Sequence, residues 1–456
     1  MTPASLFRTL LLAQACVLLI ACTSPLQAPV TPTVNTPPDE WFYQSEAVAP
    51  AAEWWRQLGS DELNLLLSIA MRDNPDVQIA RERLISADAS LRQARADRWP
   101  SVSARAGASH QKDLDGSGEG FNSGSSLSFS AGYEVDLWAR RATDIDSSEL
   151  DYESQRIALR SVEMTLTGQV VQQYIALLAA RESLRLARSN LAASQELERI
   201  MQVKFDAGAV SGVELAQQRN TTLSLVGRLA ALETALHSEE RALAYLVGVD
   251  ELRLPELTMT LEELDLPQVA RIQPASLLIQ RPDIRQATIA LWQTHAGVWQ
   301  AEISRWPSLS LSAGLSASDV INPTGWALSF GESLSMTLLD AENIKAQVAQ
   351  AESAERSARI QYRAVVTAAM LEVLDAQGDL DYQVKALANS EAVFENNRRL
   401  LRLATVRFDS GDTDFTSLLS AQRTFFSARD AMLSARQSHL QALAALYLTL
   451  GDIPRS

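Results

Sequence analysis

A motif that recurs almost half a chain away constrains this sequence more than any other feature. The run Arg98–Ser103 (RWPSVS) returns as Arg305–Ser310 (RWPSLS), 207 residues later. A second run, Phe205–Gly208 (FDAG), returns as Phe408–Gly411 (FDSG), 203 residues later. A period this long is not that of a solenoid, whose repeats span roughly 20 to 50 residues. The sequence therefore predicts two similar structural units, with a four-residue difference in one loop.

The N-terminal residues predict export and lipid attachment. An apolar stretch ends in Leu-Ile-Ala-Cys22, which matches a bacterial lipobox. We expect a lipoprotein signal peptide at 1–21 and acylation of Cys22, the alternative being an ordinary signal peptide with an incidental cysteine. Thr23 favours sorting to the outer membrane. The proline-rich residues 22–60 are typical of an extended tether.

Composition argues against several classes of partner and site. The formal net charge is −15, which disfavours nucleic acid as a partner. The four histidines do not stand at metal-ligand spacing, and removal of the signal peptide would leave one cysteine and no disulfide framework. We expect no cofactor, no metal and no catalytic residues.

The distribution of proline predicts long helices. No proline occurs between Pro100 and Pro255, or between Pro323 and Pro454. Each window begins with about 60 helix-forming residues, a helix of about 90 Å. The chain then turns at Gly208 or Gly411 and returns as a second helix, over 213–247 or 415–450.

Four segments ahead of the long helices alternate apolar and serine-rich positions, which is typical of strands. They are residues 101–108, 125–137, 308–315 and 326–338, and Glu332 interrupts the apolar side of the last. Strands with one apolar and one polar face suit a transmembrane barrel. Four strands cannot close one, because the smallest membrane barrels use about eight. Three copies would supply twelve strands and bring twelve helices into a cylinder.

The predicted fold class is therefore a mixed α/β membrane protein, with a long α-helical barrel and a transmembrane β-barrel shared between three chains. We expect five segments along the chain. They are a signal peptide (1–21), an acylated tether (22–60), a first repeat (61–254), a connecting segment (255–274) and a second repeat (275–456).

With these features the chain resembles the TolC-like outer-membrane efflux channel family, in its NodT-type branch of lipoproteins. The resemblance covers nearly all of the mature chain and rests on these motifs: Trp54-Trp55, Asn74-Pro75-Asp76, Asp136-Leu137-Trp138, Arg281-Pro282-Asp283-Ile284 and Ala421-Gln422-Arg423. It implies a homotrimer in the outer membrane of a Gram-negative cell, embedded in outer-membrane lipids. It also implies a periplasmic adaptor protein and an inner-membrane pump as partners, and export of small toxic compounds.

The resemblance assigns roles to the turns between the long helices. Residues expected to contact the adaptor are Phe205, Gly208, Val210, Ser211, Phe408, Gly411 and Thr413. Family members often carry an acidic residue two positions after the second tip glycine, where three-fold symmetry forms a constricting ring. This chain has Thr413 there, between Asp412 and Asp414, which become the candidate pore constriction. The chain also has Ala139 where a glycine is usual, which affects the strand-to-helix turn.

Three other interpretations remain open. Residues 113–124 resemble the opening of a calcium loop, but glycine occupies the twelfth position, where a glutamate is required. An outlet channel for one-step (type I) protein secretion would have the same architecture. A scaffold lipoprotein would share the lipobox and helices, but it would not need amphipathic strands, so the four strands argue against this interpretation.

Overall fold

The computed structural model describes residues 53–112, 121–249, 256–266, 281–318 and 325–451. In chain order these form a short 3-10 helix (Trp54–Leu58), α1 (Asp61–Asp73), α2 (Pro75–Ala96), β1 (Ser101–Lys112), β2 (Phe121–Val135), α3 (Arg140–Asp206), α4 (Gly212–Val247), a 3-10 turn (Leu261–Glu263), α5 (Pro282–Ile303), β3 (Ser308–Ser318), β4 (Trp326–Ser335), α6 (Asn343–Asp409) and α7 (Phe415–Thr449). The predicted signal peptide, Cys22, most of the tether, residues 113–120, and residues 255 and 267–274 of the connecting segment lie outside the described residues.

The described residues fall into two compact units. Those within Glu82–Arg156 and Gln286–Ala364 form the sheet unit, and those within Val34–Arg81, Ile157–Arg285 and Val365–Ser456 form the helix unit.

The sheet unit holds one four-stranded antiparallel sheet in the order β1-β2-β3-β4. The predicted strands are confirmed, and β2 also pairs with β3, so the two hairpins are continuous. The register sets most apolar residues opposite one another, as in Phe129↔Leu315, and most serines and glycines opposite serine or glycine, as in Ser103↔Ser130. Glu332, which interrupts the apolar side of β4, pairs with Leu311.

The predicted ends of β2 and β4 were wrong by two or three residues, and pairing explains why. Ser335 pairs with Ser308, the first residue of β3, so β4 has no partner residue beyond it. After Val135, the Asp136 carboxylate accepts hydrogen bonds from the N–H groups of Arg141 and Ala142 at 3.2 and 3.1 Å. Asp136 thereby caps α3 instead of extending β2.

The long helices form where proline is missing, as predicted. Helices α3 and α6 each contain 67 residues and start 203 residues apart (343 − 140). Helices α4 and α7 contain 36 and 35 residues and also start 203 apart (415 − 212). None of the helices within the described ranges combines the length and hydropathy needed to cross a membrane.

The main hydrophobic core lies in the helix unit. Helix α1 contributes Leu63 and Leu66, α3 contributes Tyr174, and α7 contributes Leu443, and all are almost fully buried. Trp54 stacks on Tyr447 with ring centroids 4.8 Å apart, and this contact fixes the start of the described chain against α7.

Candidate functional site

The two turns between the long helices have the same backbone conformation. Gly208 and Gly411 have φ angles of +74° and +77°, the left-handed region that glycine adopts without steric cost. The N–H after each glycine bonds a carbonyl five residues earlier, Ala209 to Lys204 and Asp412 to Arg407, both at 2.8 Å. Each first helix therefore ends in a glycine cap that reverses the chain.

A small apolar cluster packs the two turns side by side in the helix unit. Its buried members are Met201, Leu215, Phe415 and Leu419, and the partly buried Leu197, Val210 and Phe408 pack against them. The ammonium group of Lys204 lies 4.1 Å from the centre of the Phe408 ring, which adds a cation–π contact between the turns. The two predicted tip regions thus form one composite surface.

The two tip phenylalanines differ in their surroundings. Phe408 is half-buried and lies 5.9 Å from Phe415. Phe205 is 41% exposed, and so is the more accessible of the two for a partner protein.

Two of the predicted tip residues also cap helices. The Ser211 hydroxyl accepts the N–H of Glu214, and the Glu214 carboxylate accepts the N–H of Ser211, forming a capping box at the start of α4. The Asp414 carboxylate accepts the N–H of Ser417 at 2.9 Å at the start of α7. Hydrogen bonds from the side chain and backbone of Ser417 lower the pKa of Asp414. Asp414 is therefore held ionised. Its role as a helix cap is enough to explain an aspartate at this position, without a role in the pore.

The other candidate constriction residue is paired at the surface. The Arg407 guanidinium donates to the Asp412 carboxylate at 2.9 Å across the turn. Thr413, between the two aspartates, is half-buried. Within one chain the two carboxylates form no ring, so the predicted constriction requires further copies.

A buried polar network lies on the adjoining helices, and the sequence analysis missed it. The Gln218 amide donates to the Ser194 hydroxyl at 2.9 Å, and that hydroxyl lies 3.1 Å from the Thr222 hydroxyl. Arg423 donates to the Thr221 hydroxyl at 3.0 Å and links α7 to α4. The available signal was the Gln-Arg pair at 218–219, which recurs at 422–423.

A second missed feature fixes the far ends of the helical hairpins. The Asn74 amide donates to the Leu246 carbonyl at 2.9 Å, and the Arg281 guanidinium donates to the Thr449 carbonyl at 2.7 Å. The donors are 207 residues apart and the acceptors 203 apart, the same offsets as the repeated motifs. Arg281 also bonds Glu372 at 2.6 Å, a contact for which no equivalent is recorded at Asn74 within the described residues.

Glu62 anchors the described part of the segment between the halves. Its carboxylate accepts hydrogen bonds from the N–H groups of Thr258 and Met259, and from the hydroxyls of Thr258 and Tyr174. Burial raises the pKa of Glu62, but these hydrogen bonds outweigh burial and leave it below its ordinary value. Arg436 on α7 holds the same segment through the carbonyls of residues 261, 262 and 264.

The sheet unit presents an apolar face and two unpaired edges. The apolar side chains of β4 are well exposed, among them Trp326, Leu328, Phe330 and Leu334. Within the described chain β1 and β4 each pair on one side only. Isolated strand edges leave backbone groups free to pair with another chain.

The turns from strand to long helix are strained where glycine is missing. Ala139 has φ of +55°, and Ala341 and Glu342 have φ of +51° and +72°. Such angles are unfavourable for residues with a Cβ. The predicted effect of the missing glycine is therefore seen in the backbone at Ala139, and the second turn is strained in the same way.

No group of three or more His, Cys, Asp or Glu side chains within the described ranges is placed to hold a metal ion. Of the residues in the calcium-loop interpretation, 113–120 lie outside those ranges, and 121–124 belong to β2, where Gly124 pairs with Ser109.

The sequence matches the family model described as "Outer membrane efflux protein" over residues 66–249 and 274–452. One relative is the pyoverdine export outer membrane protein OpmQ of Pseudomonas aeruginosa. It is 30% identical over 461 residues, covering 97% of this chain and 96% of the relative. Another is the antibiotic efflux pump outer membrane protein ArpC of Pseudomonas putida, 26% identical, covering 93% of this chain and 91% of the relative.

Solved structures share the fold. The Campylobacter jejuni CmeC outer membrane channel superposes with a TM-score of 0.83 at 20% identity, covering 93% of this chain and 94% of that one.

Proposed function

This chain belongs to the outer membrane efflux protein family, and from that premise we propose that three copies of it form the exit channel of an efflux pump. The family is one of transport proteins, and its members are located in the outer membrane of Gram-negative bacteria. The sheet unit would cross that membrane, and the long helices would enclose a tunnel on the periplasmic side.

The observation that carries the proposal is the sheet with one apolar face and two unpaired edges. Its strands contain 10 to 15 residues, and a tilted strand needs about 9 to 11 to cross a bilayer. An open edge in lipid leaves backbone hydrogen-bonding groups unsatisfied. Pairing β4 of one copy with β1 of the next removes both edges, and three copies give a closed barrel of twelve strands.

The long helices support the same assembly. Helix α6 exposes Ile360, Leu371, Leu400, Leu403 and Val406 in the single chain. Several large apolar side chains exposed along one helix are typical of a face that another protein covers. We infer that neighbouring copies cover it.

The tips are the proposed docking site for a periplasmic adaptor, which would connect the channel to an inner-membrane pump. Their composite surface offers Phe205, Val210, Ser211 and Thr413 around the two glycine turns. Asp412 and Asp414 of three copies would gather at the tunnel end and narrow it, with cations or arginines reducing the repulsion between like charges.

The N-terminal and repeat boundaries complete the proposal. Cys22 would carry the lipid after removal of 1–21, with 22–60 as the tether. Residues 61–254 and 275–456 would be duplicated units joined by 255–274, and the equal lengths of α3 and α6 support that division. The protein would catalyse no reaction, because the pump would supply the energy.

The substrates would be small molecules, as the names of the export and efflux relatives suggest. The alternative is an outlet for one-step protein secretion. A deletion strain that kept its tolerance to toxic compounds but no longer secreted a polypeptide would favour the alternative.

The direct test is the conductance of the purified trimer in a planar bilayer. The charge-removing pair Asp412→Asn/Asp414→Asn is preferable to alanine, because asparagine retains the helix cap. We expect small, cation-selective openings that grow in this variant. The control Asp206→Asn/Asp409→Asn removes two carboxylates from the same turns and should conduct like the wild type.

The outcomes separate the two parts of the proposal. Equal conductance in wild type and Asp412→Asn/Asp414→Asn would retain the channel and place the constriction elsewhere. A trimer that never conducts would overturn the channel and favour a scaffold.

A further inference from the structure

The repeated Arg-Trp-Pro-Ser motif has no part in the channel function proposed above, yet both copies lie at the same end of the sheet. Arg98 and Trp99 precede β1, and Arg305 and Trp306 precede β3. Strands β1 and β3 begin at this end, and the antiparallel β2 and β4 finish there. The indoles are exposed, Trp99 to 75% and Trp306 to 51%.

Further apolar side chains join the two tryptophans at this end. The Trp138 ring lies 4.8 Å from that of Trp306, and its indole N–H donates to the Pro307 carbonyl at 2.8 Å. Leu338 and Leu339, just after β4, are 84% and 92% exposed. Indole and leucine side chains therefore border the sheet where its apolar face ends.

The two arginines of the motif lack the carboxylate partners that neighbouring arginines have. Arg95 lies 3.7 Å from Glu149, and Arg141 lies 3.4 Å from Glu134. Neither Arg98 nor Arg305 has a carboxylate within 4.0 Å in the part of the chain that the structure describes. Among the described residues, the Arg305 guanidinium donates to the Glu302 backbone carbonyl, at 3.1 Å. In a chain of net charge −15, these are two unpaired cations, each beside an exposed indole.

We propose that the two Arg-Trp pairs bind the phosphate groups of anionic phospholipids in the periplasmic leaflet of the outer membrane. The inference rests on the proposed function, which places the sheet across that membrane. Tryptophan concentrates at the headgroup level of bilayers, where its ring is apolar and its N–H is polar. Arginine can bury its aliphatic stem along an apolar surface while its guanidinium forms paired hydrogen bonds to phosphate.

The periplasmic leaflet follows from the chain path. Helix α3 begins at Arg140, only five residues after β2 ends at Val135, so this end of the sheet is the one from which the periplasmic helices continue. The headgroup phosphate of a phospholipid in this leaflet would lie at the level of the arginine and the indole of each pair.

The test measures which lipids the full-length trimer retains. Wild type and variants are reconstituted in vesicles of phosphatidylethanolamine with a minor fraction of phosphatidylglycerol, extracted in mild detergent and analysed by native mass spectrometry. We expect wild type to retain phosphatidylglycerol in preference to phosphatidylethanolamine. In the Arg98→Gln/Arg305→Gln variant, the ratio of retained phosphatidylglycerol to phosphatidylethanolamine should fall roughly fivefold for each arginine removed. High salt should weaken the wild-type preference.

Two further variants separate phosphate binding from a general effect. Arg98→Lys/Arg305→Lys keeps both charges but loses the paired hydrogen bonds, and should show a preference between those of wild type and Arg98→Gln/Arg305→Gln. Arg83→Gln/Arg241→Gln removes two exposed arginines that also have no carboxylate within 4.0 Å among the described residues, and should behave as wild type.

Unchanged phosphatidylglycerol retention in Arg98→Gln/Arg305→Gln would overturn the proposal, as would an equal loss in the control. Loss of trimer without a change in lipid preference would assign the motif to contacts between copies. In a second set of vesicles that also contains lipopolysaccharide, its retention in place of phosphatidylglycerol, through the same arginines, would show that the phospholipid assignment is wrong. Conductance measured in the same vesicles separates a failed lipid site from a failed channel proposal. Wild type that does not conduct would contradict the channel function itself.

Discussion

Helices α3 and α6 have the same length and equivalent places in the two halves, yet a single chain buries them very differently. Six residues of α6 are buried, and α3 buries more than three times as many. Helix α3 supplies much of the core, including Val170, Tyr174 and Leu177, whereas α6 leaves Leu400 and Leu403 exposed to 46% and 57%. The two helices have equal lengths but do not have equivalent neighbours. The less buried helix is where the proposed neighbouring copies would pack.

The largest effect is expected on the exposed face of α6, and it tests whether the low burial of α6 marks a contact between copies. Replacing Leu400 and Leu403 with aspartate should abolish the trimer, because charged groups would have to enter the contact between copies without partners. Size-exclusion chromatography with light scattering measures the assembly. The control Arg399→Asp/Arg402→Asp adds two carboxylates to the same helix turns without removing apolar surface, and should still form trimers. Trimers of the leucine variant at wild-type yield would mean that this face of α6 faces solvent.

The next effect concerns the residues that fix the ends of α4 and α7. Arg281→Ala should lower the free energy of unfolding by about 2 to 3 kcal/mol, because it removes a buried donor to the Thr449 carbonyl and leaves Glu372 without its cation. The equivalent Asn74→Ala removes one hydrogen bond and should cost about 1 kcal/mol. Thermal unfolding followed by circular dichroism ranks the two. If both variants cost the same, the additional contact to Glu372 contributes nothing measurable.

The sequence predicted the helices, turns and strands because each depends on local signals. The missing prolines, the left-handed glycines at 208 and 411, and the two-residue alternation all act within a few residues of chain. The contacts of Asn74 and Arg281 span 172 and 168 residues, and that of Glu62 with Thr258 spans 196. No local pattern specifies such contacts. The offsets of 207 residues between the donors and 203 between the acceptors match those of the repeated motifs, so aligning the halves residue by residue would have paired Asn74 with Arg281.

The roles of individual tip residues could not be read from the sequence for a different reason. Ser211 and Asp414 fit both a helix cap and a functional tip, since the residue types that cap helices are also those that suit a polar docking surface or pore. Their hydrogen bonds establish the cap. The docking and constriction roles depend on other chains.

A smaller effect tests the hydrogen bonds between Glu62 and the segment between the halves. The pKa of Glu62 is lowered in the folded protein, so the stability it provides is present above its unfolded pKa and is lost as the pH falls through the folded one. We expect wild type to lose stability below pH 4.5, the ordinary value for glutamate. Glu62→Gln should be less stable at neutral pH and should lose less on acidification. Denaturant titrations at a series of pH values measure this. Parallel curves for the two proteins would mean that Glu62 is not the titrating group.

The smallest effect compares the two strand-to-helix turns directly. Ala139 and Ala341 have φ angles of +55° and +51°, which glycine adopts without the steric cost that a Cβ imposes. Replacing either by glycine should raise the free energy of unfolding by about 0.5 to 1 kcal/mol, since relief of strain exceeds the added entropy of the unfolded chain. Ala341 is followed by Glu342, with φ of +72°, so Ala341→Gly leaves a second strained residue in its turn. Ala139 stands alone, and Ala139→Gly should relieve its turn completely. Unfolding in denaturant can detect the difference. A loss of stability in Ala139→Gly would contradict this expectation. It would show that the contacts of the alanine methyl group contribute more to stability than the backbone strain costs.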